Sequence, residues 1–288
     1  MYAALPILIP FVFMIFFITV RSSRFSKWIS LAGSLLNMLV SVYLFLQVNA
    51  EGIHVLYVGN WQAPFGISIV IDAFAGLMLM VTALIVVTIS IYSFGYINAD
   101  HPYNRFYLFF YSLIMGVNGA FITGDAFNLY VWFEVILMSS FVLITLGSSK
   151  EQLEGGIKYM ALNLLGSLFF LAGLGLLYGK TGTLNMAHLA DILRNDKQAI
   201  LMNSSAVLFF VAFGIKAAVF PLFFWLPASY HTANITITSL FAGILTKVGV
   251  YTLIRFFTLF FIQNQQFWHT VLLVIAGFTM LIWGVAAY

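Results

Sequence analysis

No cysteine occurs in the 288 residues, which excludes disulfides, thiolate metal sites and iron–sulfur clusters. Charge is nearly as scarce. Asp, Glu, Lys and Arg make up 7% of the chain, where a soluble domain carries about a quarter. The net charge of +3 and pI near 9.0 come from basic residues most of which lie in short loops, not gathered into a stripe or patch. A nucleic-acid partner is therefore not expected. The five histidines, at 54, 101, 188, 231 and 269, show no ligand spacing, so no metal and no other cofactor is expected. The first residues lack the basic n-region and small-residue cleavage site of a signal peptide.

What the chain has instead is apolar length. It is 62% hydrophobic with 31 Phe and a mean hydropathy of +1.03, the composition of an integral membrane protein. About nine segments approach the roughly 20 apolar residues needed to span a bilayer: 2–20, 28–48, 70–93, 106–123, 127–147, 158–178, 199–226, 235–262 and 268–288. Continuous runs such as LMLMVTALIVVTISI exclude a β-barrel, whose strands would alternate. The fold class is thus an all-α, polytopic transmembrane bundle. Loops after the first, third and fifth spans carry Arg21, Arg24, Lys27, Arg105, Lys150 and Lys158. The opposite side carries Lys180, Arg194 and Lys197, with Arg255 in the last third of the eighth span. That bias places the N-terminus outside a cell membrane. Residues 49–69 read as a small external hairpin, and 179–198 as holding a short amphipathic helix at the interface. The GKT at 179–181 is not a P-loop, since the motif's first glycine would fall on Leu174.

Three ionisable residues lie deep within these spans: Glu134, Lys216 and Lys247. Each costs about 2.5–3.5 kcal/mol on insertion scales, and such residues persist when paired or when they line a wet cavity. Glu134 is about 10 Å along its helix at 1.5 Å per residue. A static Glu134–Lys216 bridge would explain two of the charges and leave Lys247 without a reason. A proton relay uses all three, because a lysine between burial and a nearby carboxylate can exchange protons near neutral pH. Pro221 removes the helical bond to the Ala217 carbonyl beside Lys216, and water is the expected partner for that carbonyl. Broken helices of this kind mark ion pathways. His231 is placed to hand protons from water to the line, although an ordinary loop histidine fits the same position. Asp72 and Lys158, at helix heads, need only headgroup water.

GDAFNLYVWFEVILMSSFVLI, LLYGKTGTLNMAHLA, FGIKAAVFPLFFWLPASYH and LFAGILTKVGVYTLIRFF together resemble the antiporter-like membrane subunits shared by respiratory complex I and the Mrp-type multisubunit Na+/H+ antiporters. VGNWQAPFGISIVID and the YHT after LPAS resemble the Mrp D subunit more than a complex I subunit. The resemblance implies that Glu134 is the helix-five glutamate, Lys216 its helix-seven lysine partner, Lys247 the central lysine of helix eight, and His231 the histidine of the proton path. It also implies two inverted five-helix repeats. Residues 1–105 would form the three preceding helices with their external loop, 106–262 the first repeat with its broken seventh helix, and 263–288 the truncated start of the second.

The implied function is proton translocation in a multisubunit antiporter, Na+ efflux coupled to H+ uptake, with other antiporter subunits and the bilayer as partners and no enzyme chemistry of its own. The alternatives are a proton-pumping subunit of complex I or a membrane hydrogenase, and a non-conducting structural fragment. TANITITSLF after His231 lacks the prolines often found there.

Overall fold

The computed structural model describes residues 2–19, 25–96, 105–195 and 199–287. Long apolar runs become helices because a helix satisfies its own backbone where no water can. They are α1 (Leu5–Thr19), α2 (Ser26–Glu51), α3 (Ala73–Tyr96), α4 (Phe106–Ile122), α5 (Ala126–Thr145), α6 (Lys150–Thr181), α7 (Met186–Asn195), α8 (Ala199–Ala217), α9 (Trp225–Tyr230), α10 (Ile235–Leu259) and α11 (Gln265–Ala287). Seven described helices are long and apolar enough to cross a membrane, and α4 and α8 are shorter apolar helices. The chain is a polytopic helical membrane protein.

α1 packs on α2 and α4, α2 on α3, and α4 on α5; α5 meets α6, which packs against α8 and α9. α10 lies against both α3 and α8 and so joins the two groups of helices. Pro10 lies inside α1 and cannot donate to the carbonyl of Pro6, four residues back. Asn118 of α4 takes that carbonyl instead, with Nδ2 donating at 2.8 Å. α6 begins at Lys150, ahead of the apolar run expected from 158. Ser149 and Gln152 form a capping box there, which satisfies first-turn amides before the hydrophobic stretch. Lys158 consequently lies inside α6 and pairs with Glu154 at 2.7 Å on an exposed face.

The expected hairpin is β1 (His54–Tyr57) against β2 (Ser68–Ile71), antiparallel with His54 opposite Ile71. It packs on the N-terminal turn Tyr2–Ala4. The Gly124 amide donates to Ser68 O, and the Met186 amide opening α7 donates to Gly124 O, both at 2.8 Å. The hairpin, the α4–α5 corner and the amphipathic helix α7 are thereby tied together at one end of the bundle.

At that end Asp72 is not left to headgroup water, because Arg255 from the last third of the eighth span reaches it. Arg255 Nη2 donates to Asp72 Oδ1 at 2.9 Å, and Nη1 donates to Oδ2. Nη2 also reaches the Tyr251 hydroxyl at 2.6 Å, and that hydroxyl donates to Phe121 O at 2.7 Å. The side chains of the pair are 18% and 21% exposed. Burial pushes the Asp72 carboxyl up, but the Arg255 bond and charge with the Ala75 amide outweigh it, so the group titrates below the usual aspartate range. Its folded pKa is depressed relative to about 3.9 in an unfolded chain. The stabilisation is therefore fully present above that value and is lost as pH falls through the folded pKa. Asp72→Asn, which leaves a part-buried guanidinium without its carboxylate, should cost about 2 kcal/mol, the worth of a hydrogen bond to a charged group. Thermal melting in detergent should show a gap between wild type and variant that is constant at neutral pH and narrows below about pH 4; a gap that ignores acid would show that the pair does not stabilise the fold.

Candidate functional site

The buried lysine sits where α8 stops. Ala218 takes a left-handed conformation, φ 53°, and the chain leaves the helix there, turning through residues 218–224 before α9. The break expected at Pro221 thus falls earlier. Pro221 lies in the connection, past the end of α8, and the reversal of φ at Ala218 interrupts the ladder first. Carbonyls in the last turn of a helix need outside donors. For Ile215 the donors are the Ala218 amide at 3.1 Å and the buried Trp225 indole at 2.8 Å. An indole from the next helix thus serves Ile215, two residues before the Ala217 carbonyl for which water was expected.

Lys216 is 7% exposed. Its Nζ donates to Ser167 Oγ of α6 at 3.2 Å and lies 4.6 Å from the ring centroid of Phe133 on α5, within cation–π range. A cavity of about 20 Å³ adjoins it, lined among others by Tyr159, Asn163, Trp225 and Val248, room for about one water on that measure. Glu134, the residue after Phe133, is not among the ion pairs that the described residues form. Its Oε1 is buried and has no hydrogen-bond partner.

Lys247 is not in this cavity. It lies on an exposed face of α10, and Nζ folds back to the Ala242 carbonyl of its own helix and to Thr246 Oγ1 at 3.3 Å. α10 faces the cavity with Leu245 and Val248. His231 is exposed at the end of α9, where Nδ1 donates to Pro227 O. That bond leaves Nε2 as the nitrogen available for proton exchange. The structure thus sets Lys216 against Phe133, the residue before Glu134, and leaves Lys247 and His231 on exposed positions.

Several members of the site carry no charge and so went unmarked in the sequence. Tyr159, Asn163 and Ser167 recur every four residues, one face of α6, and all three are buried. A polar line in an otherwise apolar helix is the signal that could have found them. Tyr159 OH lies 2.6 Å from Ser140 Oγ of α5. Gly249 gives no such signal, yet a Cβ there would overlap the Ala217 amide nitrogen. Only glycine lets α10 touch the backbone at the end of α8.

These features define a class: a polytopic membrane protein with a buried lysine at the end of an interrupted helix and a buried carboxylate oxygen without a partner on α5. The family described as NADH:quinone oxidoreductase/Mrp antiporter, TM, matches residues 123–288. The N-terminal family of complex I chain 5 matches residues 56–107. The chain belongs to the NADH:quinone oxidoreductase/Mrp antiporter transmembrane family. It is 45% identical to the D component of the Na(+)/H(+) antiporter of Alkalihalophilus pseudofirmus over 280 residues, 96% of this chain and 56% of that one. Against the corresponding D component of Bacillus subtilis it is 40% identical, over 97% of this chain and 57% of the other. The chain thus spans a little over half the length of these relatives. The Mrp complex of Dietzia sp. DQ12-45-1b contains a similar structure, TM-score 0.89 at 28% identity, over 98% of this chain and 53% of that one. The archaeal membrane-bound sulfane sulfur reductase contains another, TM-score 0.86 at 32% identity, over 93% and 55%.

Gly249→Ala should destabilise the fold by about 1–3 kcal/mol through overpacking, against the gain of up to about 1 kcal/mol that Gly→Ala gives in an open helix. Gly277→Ala, which meets nothing within 4 Å, is the matched control. Melting curves in detergent should separate the two in sign. Equal shifts would mean that the contact between α10 and the end of α8 is loose.

Proposed function

We propose that the chain is the proton-translocating part of a D-type subunit in an Mrp-type cation/proton antiporter, and that the intact assembly couples Na+ efflux to H+ uptake across a cell membrane. The supporting observation is the state of Lys216: an ammonium buried beside room for a water and resting on the Phe133 ring, with a buried, partnerless carboxylate oxygen on the next residue, Glu134. The charge rests on neutral groups, Ser167 and the Phe133 ring. Movement of Glu134 towards or away from Lys216 then changes how tightly the lysine holds its proton.

In this reading Lys216 accepts a proton through the Tyr159–Asn163 cavity and His231 supplies it from water. Lys247 carries it onward from the exposed face of α10. Helices α4 to α10 make up the first five-span repeat, α11 opens the second, and the N-terminus faces outward. The other antiporter subunits are the partners. The similarity to the sulfane sulfur reductase complex supports a second reading, in which the same relay serves a redox-driven assembly.

The test is Na+-dependent proton movement in everted vesicles carrying the complete set of subunits. Glu134→Ala and Lys216→Ala should each abolish it while the assembly still forms, and Lys247→Ala should do the same. Retained activity in Glu134→Ala would sink the relay, and retained activity in Lys247→Ala alone would reduce the path to the Glu134–Lys216 pair. Proton movement that requires an electron donor in place of Na+ would favour the redox reading.

A further inference from the structure

The first helices of the chain bury a second set of polar side chains, on elements other than those that carry Glu134 and Lys216. On α2, Ser26, Ser30, Ser34, Asn37 and Ser41 recur every three or four residues, the spacing of one helix face, and none is more than 2% exposed. From Ser26 to Ser41 that face runs about 22 Å at 1.5 Å per residue, most of a hydrocarbon core about 30 Å thick. α3 adds Ser90 and Ser93, and α4 adds Tyr107, Tyr111 and Asn118, all buried.

These groups contact one another in three sets, two of which include α2 residues. Ser93 Oγ lies 3.0 Å from Tyr107 OH. Ser34 Oγ lies 2.6 Å from Ser90 Oγ and 3.3 Å from Tyr111 OH, and Tyr111 OH donates to Ser30 O at 2.5 Å. Asn118 Nδ2 donates to Asn37 Oδ1 at 3.3 Å.

Three atoms remain outside these bonds: Ser30 Oγ, Asn37 Nδ2 and Asn118 Oδ1 are buried and have no partner. The last two belong to side chains that already touch, one a donor and the other an acceptor. A single water accepting from Asn37 Nδ2 and donating to Asn118 Oδ1 would complete both, and another would serve Ser30 Oγ. Polar side chains that merely hold helices together find partners in a neighbouring helix or their own backbone, as Ser41 does with Asn37 O at 2.8 Å. Unpartnered ones inside a bilayer need water.

We propose that the seam of α1, α2, α3 and α4 binds a file of water molecules and forms a second, uncharged hydrogen-bonded path along α2, separate from Glu134 and Lys216. The proposal does not rest on the lysine relay.

Radiolytic hydroxyl-radical labelling of the intact assembly tests it, because radicals born in bound water mark aromatic rings that bulk water never reaches. Tyr111 is 0% exposed, as are Phe209 and Phe213, which pack among other phenylalanines. Tyr107 and Tyr111 should be labelled and the two phenylalanines silent; a Tyr111 as silent as Phe213 overturns the water file. Ser34→Val should then abolish labelling at Tyr111 and slow proton movement in everted vesicles with Glu134 and Lys216 untouched. Unchanged proton movement with labelling lost would overturn the path. Ser90→Ala gives the same comparison should Ser34→Val fail to assemble. Labelling needs no transport, so its outcome is independent of the Glu134→Ala result.

Discussion

An ammonium inside an apolar bundle persists only where something replaces its hydration, and at Lys216 the replacement is drawn from several helices. α6 supplies a hydroxyl and α5 a ring face, while α9 and α10 help wall the small cavity beside it. A hydrogen bond to a charged group is worth about 1.5–3 kcal/mol, and a desolvated cation–π contact about 2 kcal/mol. Together these are of the size of the cost of placing lysine mid-membrane, about 2.5–3.5 kcal/mol on insertion scales. The charge thus needs no ion pair to be tolerated. Were Glu134 in direct contact, separating the two would be expensive. No such ion pair locks them among the described residues.

That arrangement depends on where α8 stops. The left-handed turn at Ala218 ends the helix immediately after Lys216 and Ala217, and two contacts hold the end in place. Trp225 supplies a donor to the Ile215 carbonyl, and Gly249 lets α10 press on the Ala217 backbone. The proline is part of the connection that follows. A helix end fixed on both sides can present a lysine at a defined depth, which a simple kink would not ensure.

The spans were legible because composition decides them: runs of about 20 apolar residues have few other fates. The hairpin and α7 were legible from β-branched and amphipathic patterning. The early start of α6 was written in Ser149 and Gln152 but masked by Lys150, Glu151 and Glu154, which look like loop. The position of the break was not legible, because Pro221 advertises irregular backbone without saying where it begins. Nor was the Asp72–Arg255 pair, whose members are 183 residues apart and meet only once α3 and α10 pack. Depth along a helix could be counted for Glu134, Lys216 and Lys247. The direction in which each side chain points depends on which neighbour covers which face, and that separated Lys247 from the other two.

Two polar systems therefore coexist in one apolar bundle, and they differ in kind. The one around Lys216 holds charge together with the hydroxyls and amide of α6. The one along α2 has many hydroxyls and amides and no formal charge. They meet through α4, which gives Asn118 and Tyr111 to the seam and packs on α5, the helix of Glu134. A shift of α5 that moves Glu134 relative to Lys216 would press on α4 as well. The neutral seam can absorb such a shift by exchanging hydrogen-bond partners, since hydroxyls both donate and accept, whereas a close-packed apolar seam would resist it.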